Sequence, residues 1–169
     1  MNHEHTHLSA ARFGDPIEAT TFFPLRKGPF FEQEELNEAW GQPLKFDIGF
    51  ITLYDKLCDE EADERWTAVN QLKNAIADNA ALSLGDLAPV IAEIADGAID
   101  SIVVNLGLIR ALGLHAQPLW DEVFRSNMAK LDPVTGKPNK DESGKVIKPA
   151  GWTPPDLVSI VRAQLGAAQ

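Results

Sequence analysis

Ile91-Ala92-Glu93-Ile94-Ala95-Asp96-Gly97-Ala98-Ile99-Asp100-Ser101-Ile102-Val103-Val104 is the stretch on which the fold turns. Its apolar residues fall on nearly every side of a helix with 3.6 residues per turn, so it reads as a helix at the centre of a bundle. Three carboxylates interrupt it. Glu93, Asp96 and Asp100 follow one another at three- and four-residue steps, which places them on one face. A carboxylate buried without a partner is costly, and three neighbours repel one another, so the spacing predicts a cation or basic groups opposite them.

Working outward, this helix runs from about Asp86 to Leu112 and stops at Gly113, with Ser83 or Asp86 as its cap and Pro89 in its first turn. Before it, residues from Ile48 to Asn79 contain no proline. They place Ile51, Tyr54, Leu57, Cys58, Ala62, Val69, Leu72 and Ile76 at mostly three- and four-residue spacings, the stripe of a long amphipathic helix. A short helix is predicted over Phe30 to Trp40, ending at Gly41. A fourth is predicted from Pro118 to Lys130, with Leu119, Trp120, Val123, Phe124 and Met128 turned to the core, and a last from Pro155 to about Leu165. No strand pattern and no repeat is visible. The expectation is an all-α bundle of four or five helices, one domain over residues 30–169 preceded by an arm over 1–29. The arm carries His3, His5 and His7, to which no catalytic role is assigned. Residues 132–155 form a Pro- and Gly-rich loop that holds Lys137, Lys140, Lys145 and Lys148, the one strongly basic segment.

The chain has 169 residues, 44% apolar and 24% charged, enough for one core. Fifteen Lys and Arg face 25 Asp and Glu, a formal charge of -10, which argues against nucleic-acid or anionic-membrane partners and requires local positive charge wherever phosphate binds. The apolar tract from Leu87 to Leu114 is broken by Glu93, Asp96, Asp100 and Arg110, each costing about 2.5–3.5 kcal/mol inside a bilayer. A single cysteine, Cys58, and no leader pattern point to a reducing cytoplasmic setting.

The long second helix brings its own acids: Asp59, Glu60, Glu61, Asp63 and Glu64. Alone, such a run reads as a solvated face. Packed antiparallel on the next helix, however, Glu61 and Glu64 can turn toward Glu93 and Asp96. Oxygen donors in that number suit Mg²⁺ or Mn²⁺, whereas zinc would want His or Cys.

These residues carry a family resemblance. Leu57-Cys58-Asp59-Glu60-Glu61-Ala62-Asp63-Glu64 followed by Glu93-Ile94-Ala95-Asp96 resembles the E-x-x-E plus E-x-x-D signature of the all-α nucleotide pyrophosphohydrolases. The later strings Phe124-Arg125-Ser126-Asn127-Met128-Ala129-Lys130, Gly136-Lys137-Pro138, Gly144-Lys145-Val146-Ile147-Lys148 and Trp152-Thr153-Pro154-Pro155-Asp156-Leu157 are similar to the phosphoribosyl-ATP pyrophosphohydrolase-like branch that includes MazG-like dUTPases. The likeness spans about residues 46–160. It implies that Glu61, Glu64, Glu93 and Asp96 ligate Mg²⁺, replaceable by Mn²⁺, and that Glu60 is a further ligand or orients the attacking water. It implies that Asn127, Lys130, Lys137, Lys145 and Lys148 meet substrate phosphates, with Asp100 on the substrate side and Trp152 at the base or a lid. Arg65 stands where the family commonly has an apolar residue, as a phosphate contact or a salt-bridge partner.

The implied reaction is hydrolysis of a nucleoside triphosphate, a dNTP such as dUTP, to the monophosphate and pyrophosphate, by a cytoplasmic homodimer or homotetramer. Phosphoribosyl-ATP hydrolysis in histidine biosynthesis and a non-catalytic helical interaction protein are the alternatives.

Overall fold

The structure is a computed structural model that describes residues 28–79 and 81–167. The arm over residues 1–29, with its histidines, lies almost entirely outside the described residues. Five α-helices are present among them: α1 Pro29–Ala39, α2 Ile48–Asp78, α3 Leu84–Ala111, α4 Ala116–Met128 and α5 Leu157–Ala167. The only extended pairings among the described residues are three isolated β-bridges, so the fold is all-α as the periodicity predicts. No helix among the described residues is long and apolar enough to cross a membrane.

Helix boundaries follow from local chemistry. Asp47 caps α2, its Oδ1 accepting from the N–H of Gly49 at 3.0 Å and of Phe50 at 3.3 Å, and the Phe50 bond leads in holding its carboxyl below the usual range. Ser83 and Asp86 form a reciprocal box before α3: the Asp86 N–H donates to Ser83 Oγ and the Ser83 N–H to Asp86 Oδ2. The helix therefore starts two residues earlier than expected. Pro89 becomes its sixth residue instead of a first-turn proline, and it has no N–H to offer the Gly85 carbonyl. At the other end Gly113 takes φ +78°, and the Leu114 N–H reaches back to the Ile109 carbonyl, a left-handed stop that turns the chain toward α4. α4 begins at Ala116, ahead of Pro118, because His115 already has the extended backbone of a cap residue.

The chain divides into two compact units. One contains Leu57–Ile102, the other Pro29–Lys56 and the chain from Val103 onward. The first is a helical hairpin of α2 and α3 segments. A Cβ added at Gly97 would lie 3.2 Å from Arg65 Cβ, so the missing side chain lets the two helices approach there.

In the second unit a polar network replaces a purely apolar centre. The Tyr54 hydroxyl donates to Gln42 Oε1 at 2.6 Å, Gln42 Nε2 to the Gly107 carbonyl at 3.1 Å, and Arg110 Nε to the Gln42 carbonyl at 2.9 Å. The Tyr54 ring fills the space a Cβ at Gly107 would occupy. α4 and α5 are joined by Glu122. Its carboxylate takes both Nε and Nη2 of Arg125 at 2.7 Å and the Asp156 N–H at 2.9 Å, and the Arg125 bond leads in pulling its pKa to about 2.

Several side chains expected in the core stay exposed. Met128 and Phe124 are about half exposed, and Trp120, though its ring meets that of Phe30 at a tilt with centroids 5.3 Å apart, is likewise about half exposed. Periodicity finds the apolar face of α4, but among the described residues that face is only partly covered.

Candidate functional site

The acid-bearing hairpin holds ten Asp and Glu between Leu57 and Ile102 against two basic residues, Arg65 and Lys73. α2 presents Glu60, Glu61 and Glu64, and α3 presents Glu93, Asp96 and Asp100. The antiparallel register, fixed by the approach of Arg65 to Gly97, brings the two sets together. Glu61 reports this directly: its pKa is raised, first by partial desolvation and then by the negative charges of Glu64, Asp100, Asp96 and Glu60. Glu64 and Glu93 also line one groove of about 650 Å³, together with Asp63, Thr67, Gln71, Pro89 and Val90.

The acids are not buried, contrary to the expectation from the apolar surroundings of α3. Glu93 and Asp96 are exposed and Asp100 half-buried, because Ile91, Ile99 and Ile102 beside them are open as well. The constraint on the site is therefore like-charge crowding rather than the cost of burial. Among the described residues, no three His, Cys, Asp or Glu side chains converge closely enough to hold a metal ion as they stand. They share an electrostatic field. By donor chemistry and by sign the set fits a hard divalent cation, whose charge would offset the repulsion felt at Glu61.

Arg65 is exposed and sends Nη1 toward Ser101 Oγ at 3.5 Å, so it ties α2 to α3 just past Asp100. Two groove residues, Thr67 and Gln71, carried no sequence signal. Gly97 did carry one, since a glycine inside a helix costs about 0.5–1 kcal/mol relative to alanine and calls for a packing reason.

The second group of predicted residues lies in the other unit. Asn127, on the last turn of α4, accepts at Oδ1 from Lys130 Nζ at 2.7 Å. Lys130 Nζ is 5.5 Å and Lys148 Nζ 4.3 Å from the centroid of the Trp152 ring, which the two ammonium groups therefore share. Trp152 is also a fastener: its Nε1 donates to the Ser126 carbonyl at 2.8 Å, while Ser126 Oγ, almost wholly buried, donates to the Thr153 carbonyl at 3.1 Å. These bonds order the end of the loop against α4.

Upstream, two aspartates fold the loop into tight turns. Asp132 Oδ1 accepts from the N–H of Val134 and Thr135, and Asp141 Oδ1 from those of Ser143 and Lys145. Lys137 and Lys145 sit exposed at these turns. Four predicted residues, Asn127, Lys130, Lys148 and Trp152, thus form one cluster. Ser126, which builds it, was hidden within the string that suggested it.

No family model and no curated protein matches this chain. The chemistry of the two groups must carry the functional reading.

Proposed function

We propose that the protein is a Mg²⁺-dependent nucleoside triphosphate pyrophosphohydrolase acting on a dNTP such as dUTP in the cytoplasm. The observation that supports this most is that Asp96 and Asp100 of α3 add their charge to that of Glu60 and Glu64 at Glu61 of α2. Acidic side chains gathered from two packed helices supply the hard oxygen donors that divalent cations take.

In this reading Glu61, Glu64, Glu93 and Asp96 hold the metal. When bound, Mg²⁺ would polarise phosphoryl oxygens, lower the pKa of a coordinated water and neutralise charge on the leaving pyrophosphate. Glu60 orients the attacking water or adds a ligand, and Glu61, whose pKa is raised by desolvation and by its acidic neighbours, is suited to accept a proton from that water. Asp100 contributes to the substrate side. Asn127, Lys130, Lys137, Lys145 and Lys148 are assigned to phosphate contacts, which a chain of charge -10 needs if it is to bind a polyanion. Trp152 organises two of those lysines. Self-association as a dimer or tetramer belongs to the same reading, supported by Trp66 and Ile99 lying exposed on the hairpin.

The test is pyrophosphate release from a panel of nucleotides with and without Mg²⁺. Metal-dependent release from dUTP or another dNTP is the expected result. Turnover of phosphoribosyl-ATP alone would move the protein to biosynthesis, and no release from any nucleotide would leave a helical scaffold.

A further inference from the structure

The groove between α2 and α3 has two ends of different chemistry. Asp63, Glu64 and Glu93 make one end acidic, whereas Thr67, Ala68, Gln71, Pro89 and Val90 line the rest of its 650 Å³ without a charge. No basic residue lines it. Because α2 rises about 1.5 Å per residue, Thr67 stands about 4.5 Å and Gln71 about 10.5 Å beyond Glu64 along the helix axis. The antiparallel register, set where Arg65 meets Gly97, brings Gln71 near the level of Val90, so both helices wall the neutral end.

Gln71 differs from the other glutamines in how its amide is used. Five glutamines fall among the described residues, and four of them commit their side chains to the fold. Gln33 donates to Asn37 Oδ1, Gln42 to the Gly107 carbonyl, Gln117 to Asp121 Oδ1 and Gln164 to the His115 carbonyl. Gln71 makes no side-chain hydrogen bond among the described residues. Thr67 is alike: the Thr52 hydroxyl turns back on the Ile48 carbonyl at 2.9 Å, but that of Thr67 makes no such bond. Both side chains are exposed in the groove, over the buried Ala68 and beside Pro89 and Val90. The Gln71 amide therefore offers an acceptor and a donor side by side, on an apolar bed, to whatever fills the space.

We infer that Gln71 reads the base of the nucleotide, with Thr67 at the sugar. The inference rests on the proposed pyrophosphohydrolase activity, which puts the substrate's phosphates at the acidic end. A nucleotide presents phosphate, sugar and base in that order, and the groove presents acids, a hydroxyl and an amide in the same order. Neutral hydrogen-bonding groups over apolar walls suit a nucleoside and give a bare phosphate nothing to pair with. A base edge sets a donor beside an acceptor, which a carboxamide matches with two hydrogen bonds. Gln71 is thus a specificity residue that acts on binding, away from the reacting atoms.

The test uses the full-length protein in Mg²⁺: pyrophosphate release from a panel of dNTPs, beside calorimetric binding of inorganic tripolyphosphate, which has phosphates and no base. Gln71→Met keeps the length of the side chain and removes both polar groups. It should raise KM for the preferred dNTP about tenfold with kcat little changed, flatten the preference among bases and leave the Kd of tripolyphosphate unaltered. An unchanged KM, or equal losses for dNTP and tripolyphosphate, would overturn the inference and leave the activity standing. Should Gln71→Met fail to fold, Gln71→Asn withdraws the same amide by one methylene and should show the same selective loss, whose absence is equally decisive against it. Thr67→Val should bring a smaller loss confined to dNTPs, and no loss would remove Thr67 from the sugar. No release from any nucleotide by the native chain would sink the activity and this inference together.

Discussion

The two units treat charge in opposite ways. In the second unit the carboxylates with shifted pKa values all move down, because each meets donors: Asp47 and Asp156 cap helices, Glu122 grips Arg125, and Asp132 and Asp141 close turns. In the hairpin Glu61 moves up, first by partial desolvation and then under the negative charge of Glu64, Asp100, Asp96 and Glu60. Asp86 is the hairpin's exception, and it is a cap. Where carboxylates cap helices and close turns, donors match their charge, whereas around Glu61 like charges gather.

The largest effect expected from breaking this contrast is on activity. Asp96→Asn or Glu93→Gln should reduce pyrophosphate release by more than the ~100-fold that loss of an outer-shell partner alone can cost, with helical content by circular dichroism unchanged. Asp96→Asn should also raise the metal-free Tm, because it removes a charge that crowds Glu61. Normal turnover by these variants would detach the acids from catalysis.

Next in size is packing in the matched unit. Gly107→Ala pushes a methyl group into the Tyr54 ring and should cost about 1–3 kcal/mol in denaturant unfolding.

The pH dependences should have opposite signs. Glu122 has a folded pKa of about 2, below its ordinary value of 4.5, so its contribution is complete above 4.5 and is lost as pH falls toward 2. Glu122→Gln should flatten that acid limb of the stability curve. Glu61 is raised, so its contribution is complete below its ordinary value of 4.5 and is lost as pH rises through its folded pKa. Saturating Mg²⁺ should remove that loss, and an identical pH profile with and without metal would contradict the crowding.

The smallest effects concern the loop. Trp152→Phe loses the bond to the Ser126 carbonyl and should cost about 0.5–1.5 kcal/mol, while keeping a ring for Lys130 and Lys148. Lys148→Ala should raise KM more than it lowers kcat, and an unchanged KM would remove Lys148 from phosphate binding.

The helices are legible in the sequence because a period of 3.6, a Ser-x-x-Asp box and a glycine stop are local signals, and the ends shift by only a few residues where a cap forms earlier than the proline pattern implies. The two acidic sets are equally legible, since three- and four-residue steps fix a face. The sequence does not reveal what covers a face. α3 reads as central, yet Ile99 and Ile102 are open, because periodicity marks an apolar surface without supplying its neighbour. It does not give the docking of the loop's end against α4 either, which depends on Ser126 and Trp152, 26 residues apart in the chain. Nor does it give the burial of Arg110, which reads only as a charge breaking an apolar tract.

The central claim is that the hairpin acids form a cation site. Anomalous diffraction from crystals in saturating Mn²⁺ tests it most directly. The account predicts metal density bounded by Glu61 and Glu64 of α2 and by Glu93 and Asp96 of α3. Saturated crystals with no manganese among those four side chains would contradict it.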